Sequence, residues 1–305
     1  MRKGSRSKKT VCRKIMLGSL LCIAALCAGC GKKASEEAVQ TQVPTTQETT
    51  TQAAASAPQI LIQSDEEKKE DAKELPEYIL PEEREEKDGM IRSFLTGQMV
   101  PAEQADRRPI AIMMSNDKEA RPQYGINRAG VVYEAPVEAN MNRYMAVIED
   151  YDDLDRIGSE RSCRTYYTYF AREFDAIYAH YGQSTFAKPY LKNVDNINGL
   201  DTIGGTAYYR SKDKRSPHNA YTSGDRLKKS INTLGYTTEY DDSYKGHYLF
   251  ARDGVEISLE GKPGVIDAVH AKPGYIMNKP EFVYESSDGL YHRYQYGDVH
   301  QGSEG

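Results

Sequence analysis

Arg161 and Arg164 flank a cysteine at the start of a tyrosine-rich stretch, a spacing suited to holding an anion. Guanidinium groups beside the free N–H groups of a first helical turn bind phosphate or carboxylate. The plainer alternative is that both arginines pair with nearby acids such as Glu160 or Asp155. Further on, Arg210, Lys212, Lys214 and Arg215 oppose one acid, Asp213. A solvated loop explains that run. The sharper reading is a basic lid, with His218 and Asn219 just past Pro217 orienting an anionic ligand. His180 closes an apolar run. It is either a general base or metal ligand, or a core histidine with one satisfied nitrogen.

Other chemistries find less support. The six histidines are widely spaced and form no metal-binding pattern, so no metal or cofactor is expected. The acidic run from Asp150 to Asp155 fails as a calcium loop, because Leu154 or Ile157 falls at the fifth ligand position. Glu134 and Glu138 suggest a glycosidase pair, but on a regular strand they stand ~13 Å apart. Such pairs use about 5–9.5 Å, so only a bend at Pro136 would rescue the idea. Ser184 lacks the flanking pattern of a nucleophile elbow. Cys163, between two arginines, is either an activated thiolate or a packed helix residue. The tyrosines offer contact surfaces for sugars or peptides, yet without tryptophan they must also fill the core.

The elements that would hold these residues follow from hydrophobic patterning. Strand-like runs occur at 109–115, 131–138, 143–149, 175–181, 248–250, 264–270, 281–284 and 290–296. Two segments are predicted as helices. From Ser162 as N-cap to Phe174, the stripe is Tyr166, Tyr169, Phe170 and Phe174. From Ser223 to Thr233, Leu227, Ile231 and Leu234 fall together, and Gly235 supplies the stop. Lys262-Pro263-Gly264 and Lys272-Pro273-Gly274 are turn signals bracketing one strand. Many strands and few helices without regular βαβ alternation indicate α+β or a layered α/β sandwich.

Upstream, the sequence is an address. The first 29 residues carry seven basic side chains and no acidic one, followed from Ile15 to Ala28 by an apolar run too short to span a bilayer. Small residues then precede Cys30, as in a bacterial lipobox, although Cys27 stands where leucine is usual. Cleavage would leave a lipidated Cys30 anchored to the cell membrane on its extracytoplasmic face. Residues 30–89 are expected to form a disordered acidic tether reaching about 40–45 Å. With three cysteines lost in the signal and Cys30 lipidated, only Cys163 remains as a thiol, so no internal disulfide supports the fold. The chain beyond residue 29 carries a formal charge of −12, which argues against a nucleic-acid partner. No period of 20–50 residues repeats, so a solenoid is not expected.

Six ordered segments carry a resemblance. They are Arg108–Met114, Arg121-Pro122-Gln123, Val132-Tyr133-Glu134, Ile157–Arg164, Asp175–His180 and Ser216–Asn219. Together they resemble the YerB-type lipoproteins, a bacterial family whose defining domain has no assigned function. The resemblance implies a lipid-anchored extracytoplasmic protein with a layered α/β domain of β-β-α type, a mixed sheet and few helices. It places an N-terminal domain at 90–240 and a β-rich C-terminal part at 241–305. Cys163 stands where a small residue such as alanine is expected. Family members continue past the position of Gly305, so the resemblance makes this an incomplete copy.

The reading that follows is a membrane-anchored binding module for an anionic envelope component, with Arg161, Arg164, Arg210, His180, His218 and Asn219 at its site. One rival is an envelope hydrolase or transferase using His180 or His218 as general base, with arginines as charge clamps. Another is a protein-docking module built on exposed tyrosines.

Overall fold

The computed structural model describes residues 78–304, all within Lys69–Gly305, one of two units into which the chain divides. The signal segment, Cys30 and the tether up to residue 77 lie outside the described residues. The fold begins earlier than position 90. β1 (Tyr78–Ile79) pairs with a strand near residue 250, and Arg84 donates to the carbonyls of Arg92 and Ala105 while pairing with Asp106 at 2.8 Å. An acidic composition hid these few anchoring residues.

The hairpin β2 (Met90–Arg92) and β3 (Met99–Pro101) and the one-turn α1 (Ala102–Ala105) follow. Next come β4 (Ile110–Ser115), β5 (Val131–Pro136), β6 (Asn142–Ile148) and β7 (Ile157–Gly158). They are succeeded by α2 (Thr165–Glu173), β8 (Ile177–His180), β9 (Asn196–Asn198), β10 (Tyr209–Arg210), β11 (Ala220–Thr222) and α3 (Gly224–Leu234). The C-terminal part adds β12 (Phe250–Ala251), β13 (His270–Ala271), β14 (Glu281–Glu285), β15 (Leu290–Gln295) and β16 (Asp298–Val299).

A mixed five-stranded sheet, ordered β5-β6-β4-β8-β9, forms the central layer. β4 runs antiparallel to β6 and parallel to β8, which is parallel to β9. Every residue of β4, β6 and β8 is buried, because both sheet faces are covered. On one face Ile110, Ile112, Tyr144, Ala146 and Ile177 share a core with Leu227 and Ile231 of α3, and with Ile157 of the small β10-β11-β7 sheet. On the other, Ala111, Met113, Met145, Val147 and Tyr178 pack against Tyr167, Ala171 and Phe174 of α2. The molecule is thus a layered mixed α/β structure, mostly strand with few helices.

Local signals set α3 as expected. Ser223 Oγ accepts from the Arg226 N–H, and Gly235 closes the helix in the left-handed region at φ 72°. α2 departs from expectation at its start and on its face. Ser162 Oγ donates to the Tyr181 carbonyl at 3.0 Å, so it does not cap, and the N-cap position passes to Arg164. The buried stripe is Tyr167, Ala171 and Phe174, while Tyr169 is 46% exposed.

The strand expected at 264–270 does not form. Only His270 and Ala271 pair there, since Val265 and Ile266 have no strand opposite them and remain exposed. The antiparallel β13-β14-β15-β16 sheet is joined to the central sheet through Glu134. Its Oε1 accepts from the amides of Asn116, Asn142 and Asn278, and its Oε2 pairs with Arg293 at 2.7 Å. Arg293 also donates to His300 Nδ1, and His300 Nε2 lies 3.1 Å from Gln123 Oε1.

Candidate anion site

β4 and β8 pair as parallel neighbours only as far as Ile112 and Ala179. Beyond that point the segment 159–163 runs between their carboxyl ends. The Arg161 N–H donates to the Met113 carbonyl, Ser115 N–H to Ser159, Tyr181 N–H to Arg161, and Cys163 N–H to Gly182. This wedge delivers the chain to the N-terminus of α2. Carboxyl ends of parallel strands facing a helix N-terminus are where layered α/β folds place ligands. Cys163 falls on the α2 side of the sheet, whereas Glu160 lies near Tyr208, whose ring belongs to the opposite core.

Two arginines of the described chain are buried, and their surroundings differ. Arg108, 5% exposed, pairs with Asp195 at 2.7 Å and Asp175 at 3.3 Å. Arg143, 6% exposed and directly across from Ser115 on β6, has no carboxylate within 4.0 Å among the described residues. One of its Nη groups donates to the Ser162 carbonyl. Burial, reinforced by the charges of Arg164 and Arg161, pushes its pKa down to about 10. Arg161 is half-buried, with no carboxylate within 4.0 Å among the described residues although the Asp117 charge reaches it; its Nη1 donates to the Pro217 carbonyl at 3.3 Å, and burial lowers its pKa. Charges held this way stay costly until an anion arrives.

Arg164 is committed elsewhere. It grips Glu138 with two hydrogen bonds of 2.6 Å, which hold that carboxyl down at about 2. Its remaining Nη caps the Ser162 and Cys163 carbonyls. Pairing was the plainer expectation, but the partner is Glu138, brought close by the β5–β6 connection. Arg210 lies over the Tyr181 ring at 4.5 Å and donates to Asn219 Oδ1 at 2.7 Å. Asn219 is thereby held in the β10–β11 hairpin, with its Nδ2 on the Ser211 carbonyl. The basic loop is tied down: Lys214 caps the Glu119 and Arg121 carbonyls, and Asp213 pairs with Arg156 at 3.0 Å.

The two histidines separate. His180 is fully buried, with Nδ1 2.7 Å from the Gly182 carbonyl and Nε2 3.2 Å from Asn196 Oδ1. Burial lowers its pKa, against the two acceptor oxygens that face its ring nitrogens, and it sits in the core as a hydrogen-bonded structural histidine. His218 faces the site. Its Nδ1 lies 3.3 Å from Ser115 Oγ and 3.5 Å from Asp117 Oδ2, and burial lowers its pKa. Ser115 Oγ meanwhile donates to Asp117 at 2.9 Å. Serine and aspartate both address Nδ1, so this is not a hydroxyl–histidine–carboxylate relay, which uses both ring nitrogens. Cys163 is no thiolate: burial pushes its thiol up to about 11.

Sequence reasoning did not single out Arg143, Ser115 and Asp117 as site residues. A lone arginine at the head of an otherwise apolar strand run was the available signal for the first. Glu160 holds a different surprise. It is 1% exposed, and neither carboxylate oxygen has a hydrogen-bond partner. Burial raises its pKa well above the ordinary range.

Comparison with known proteins places this geometry. Residues 95–237, which contain all the site residues above, match the family model described as "Protein of unknown function (DUF3048) N-terminal domain". Over 148 residues the chain is 35% identical to "Putative lipoprotein YerB" of Bacillus subtilis (strain 168), covering 48% of this chain and 44% of that protein. The match thus spans less than half the length of that curated relative. The crystal structure of YerB protein from Bacillus subtilis is similar with a TM-score of 0.56 at 27% identity, over 70% of this chain and 69% of that one. Residues 95–237 of this chain are thus similar to a DUF3048 N-terminal domain, and the chain resembles the YerB-like proteins in sequence and fold.

Proposed function

We propose that the chain is an envelope lipoprotein, held at the extracytoplasmic face of the cell membrane through Cys30, whose folded part binds an anionic group between Arg143 and Arg161. The similarity to a protein named a lipoprotein and the lipobox before Cys30 support the anchoring. One observation carries the binding: Arg143 is as buried as Arg108, yet Arg108 has two aspartates and Arg143 has none. A phosphate or carboxylate seated there would also meet Arg161, with His218 at the rim.

Thermal unfolding with inorganic phosphate and with acetate tests this. Saturation to about 100 Kd stabilises by roughly 2.7 kcal/mol, about 5–11 °C for a unit of this size. Arg161→Ala should abolish the shift while leaving the unliganded transition nearly in place, since the Arg161 side chain makes only one long hydrogen bond among the described residues. An unchanged shift in that variant would refute the site.

A hydrolytic or transferase reading rests on Asp117, which is placed to take the Ser115 proton. Ser115 is only 1% exposed, so a substrate would need an opening to reach it, and binding is the better-supported function.

A further inference from the structure

Beside the arginines lies an exposed apolar surface that the folded unit leaves uncovered. Phe186 is 83% exposed and Leu200 67%. Both belong to the connections that leave the carboxyl ends of β8 and β9. Contacts tie Leu200 to the anion site, and the chain itself ties Phe186 to it. The Arg210 guanidinium covers the Tyr181 ring, which packs so closely on Gly199 that an added Cβ there would sit 2.3 Å from the ring. Leu200 follows directly and lies over Gly182, where a Cβ would meet Leu200 Cδ1 at 3.0 Å and Ser162 Oγ at 3.3 Å. Ser162 sits between Arg161 and Cys163. The Ser184 N–H donates to the Cys163 carbonyl, and Phe186 comes two residues later.

We propose that this face docks on the anionic surface of a lipid bilayer, with Phe186 and Leu200 entering the headgroup layer and Arg161 and Arg210 meeting lipid phosphates. The inference rests on the anion-site reading above and names the source of its anion. Exposed phenylalanine and leucine side chains beside cations are the composition of interfacial anchors. The charge balance favours lipid over an apolar protein partner: from Arg210 to Arg215 four cations oppose one acid, which is itself paired to Arg156. A lipid anchor with one acyl-bearing cysteine gains a second point of attachment from such a face.

The chain has no tryptophan, so Phe186→Trp in the full-length protein gives a reporter confined to this face. Ile266→Trp is the comparison, because Ile266 is equally exposed but lies beside Asp267, on a segment of the chain apart from Arg161 and Arg210. Each variant is added to phosphatidylcholine vesicles with and without phosphatidylglycerol. The expected result at position 186 is a blue shift of emission, with quenching by brominated lipid, only when phosphatidylglycerol is present. Position 266 should stay unshifted. Arg210→Ala should weaken the partitioning about fivefold. Silence at position 186 on both vesicles, with Arg161-dependent phosphate stabilisation intact, overturns the membrane inference and leaves the anion site standing. Silence on vesicles together with no phosphate stabilisation overturns both. An equal shift on both vesicle types would overturn the assigned role of the arginines.

Discussion

Replacing Glu160 with glutamine should remove a pH-dependent weakness from the core. In the wild-type fold this carboxyl is enclosed with no hydrogen-bond partner, and burial raises its pKa well above 4.5. The folded chain therefore keeps the proton while the unfolded chain loses it. A carboxyl with a raised folded pKa gives its full stability below its unfolded pKa and loses it as pH rises. The loss is about 1.4 kcal/mol for each pH unit above 4.5, for as long as the folded state holds the proton. Each such pH unit corresponds to about 3–6 °C in Tm for a unit of this size. Glutamine keeps the shape and the neutral charge, so the variant and the wild type should match near pH 4.5. Urea unfolding of both proteins from pH 4.5 to 7.5 reads the difference. Glu149 and Asp175, whose pKa values burial also raises, are common to both proteins and cancel. Two curves separated by a constant at every pH would refute the buried, unpartnered carboxyl.

Two further perturbations probe the join between the sheets. Glu134→Ala strands the Arg293 charge and the amide of Asn278, and should cost about 3–5 kcal/mol in urea unfolding; a loss below 1 kcal/mol would contradict the network. His300 accepts from Arg293 and is held neutral, its pKa pushed down to about 4 by burial, then by Arg293 and Arg121. Its stabilising contribution is present above the unfolded value of 6.5 and is lost as pH falls towards 4, by about 3 kcal/mol in all. His300→Gln should flatten that acid limb, the opposite limb from the one Glu160→Gln flattens.

What the sequence made legible was local. Ser223 and Gly235 bracket α3 because caps act within one turn, and the apolar runs of β4, β6 and β8 read as strands. The site was half legible. Arg161 and His218 could be named from their spacing, but the partners that decide their roles come from afar. Arg164 finds Glu138 across 26 positions, while Arg143 has no carboxylate within 4.0 Å among the described residues and feels Glu138 only at longer range, and no sequence window reports such spacing. Glu134 illustrates the same limit. Spacing argued against a catalytic pair but could not reveal a carboxylate that receives Arg293 from 159 positions away. The start of α2 failed for a related reason: the Tyr181 carbonyl took the serine hydroxyl that the helix needed.

The Glu134–Arg293 contact also bears on the order in which the molecule is made. At ribosomal rates, about 8–30 s separate the synthesis of the two residues. For most of that interval β5 and β6 can pair with β4, yet Glu134, Asn142 and Tyr144 lack the Arg293, Asn278 and Gln295 side chains they meet in the finished protein. The nascent sheet therefore carries a polar, incompletely bonded edge until the last hairpin arrives. Anything that binds it there would compete with the chain's own C-terminal residues for the same groups.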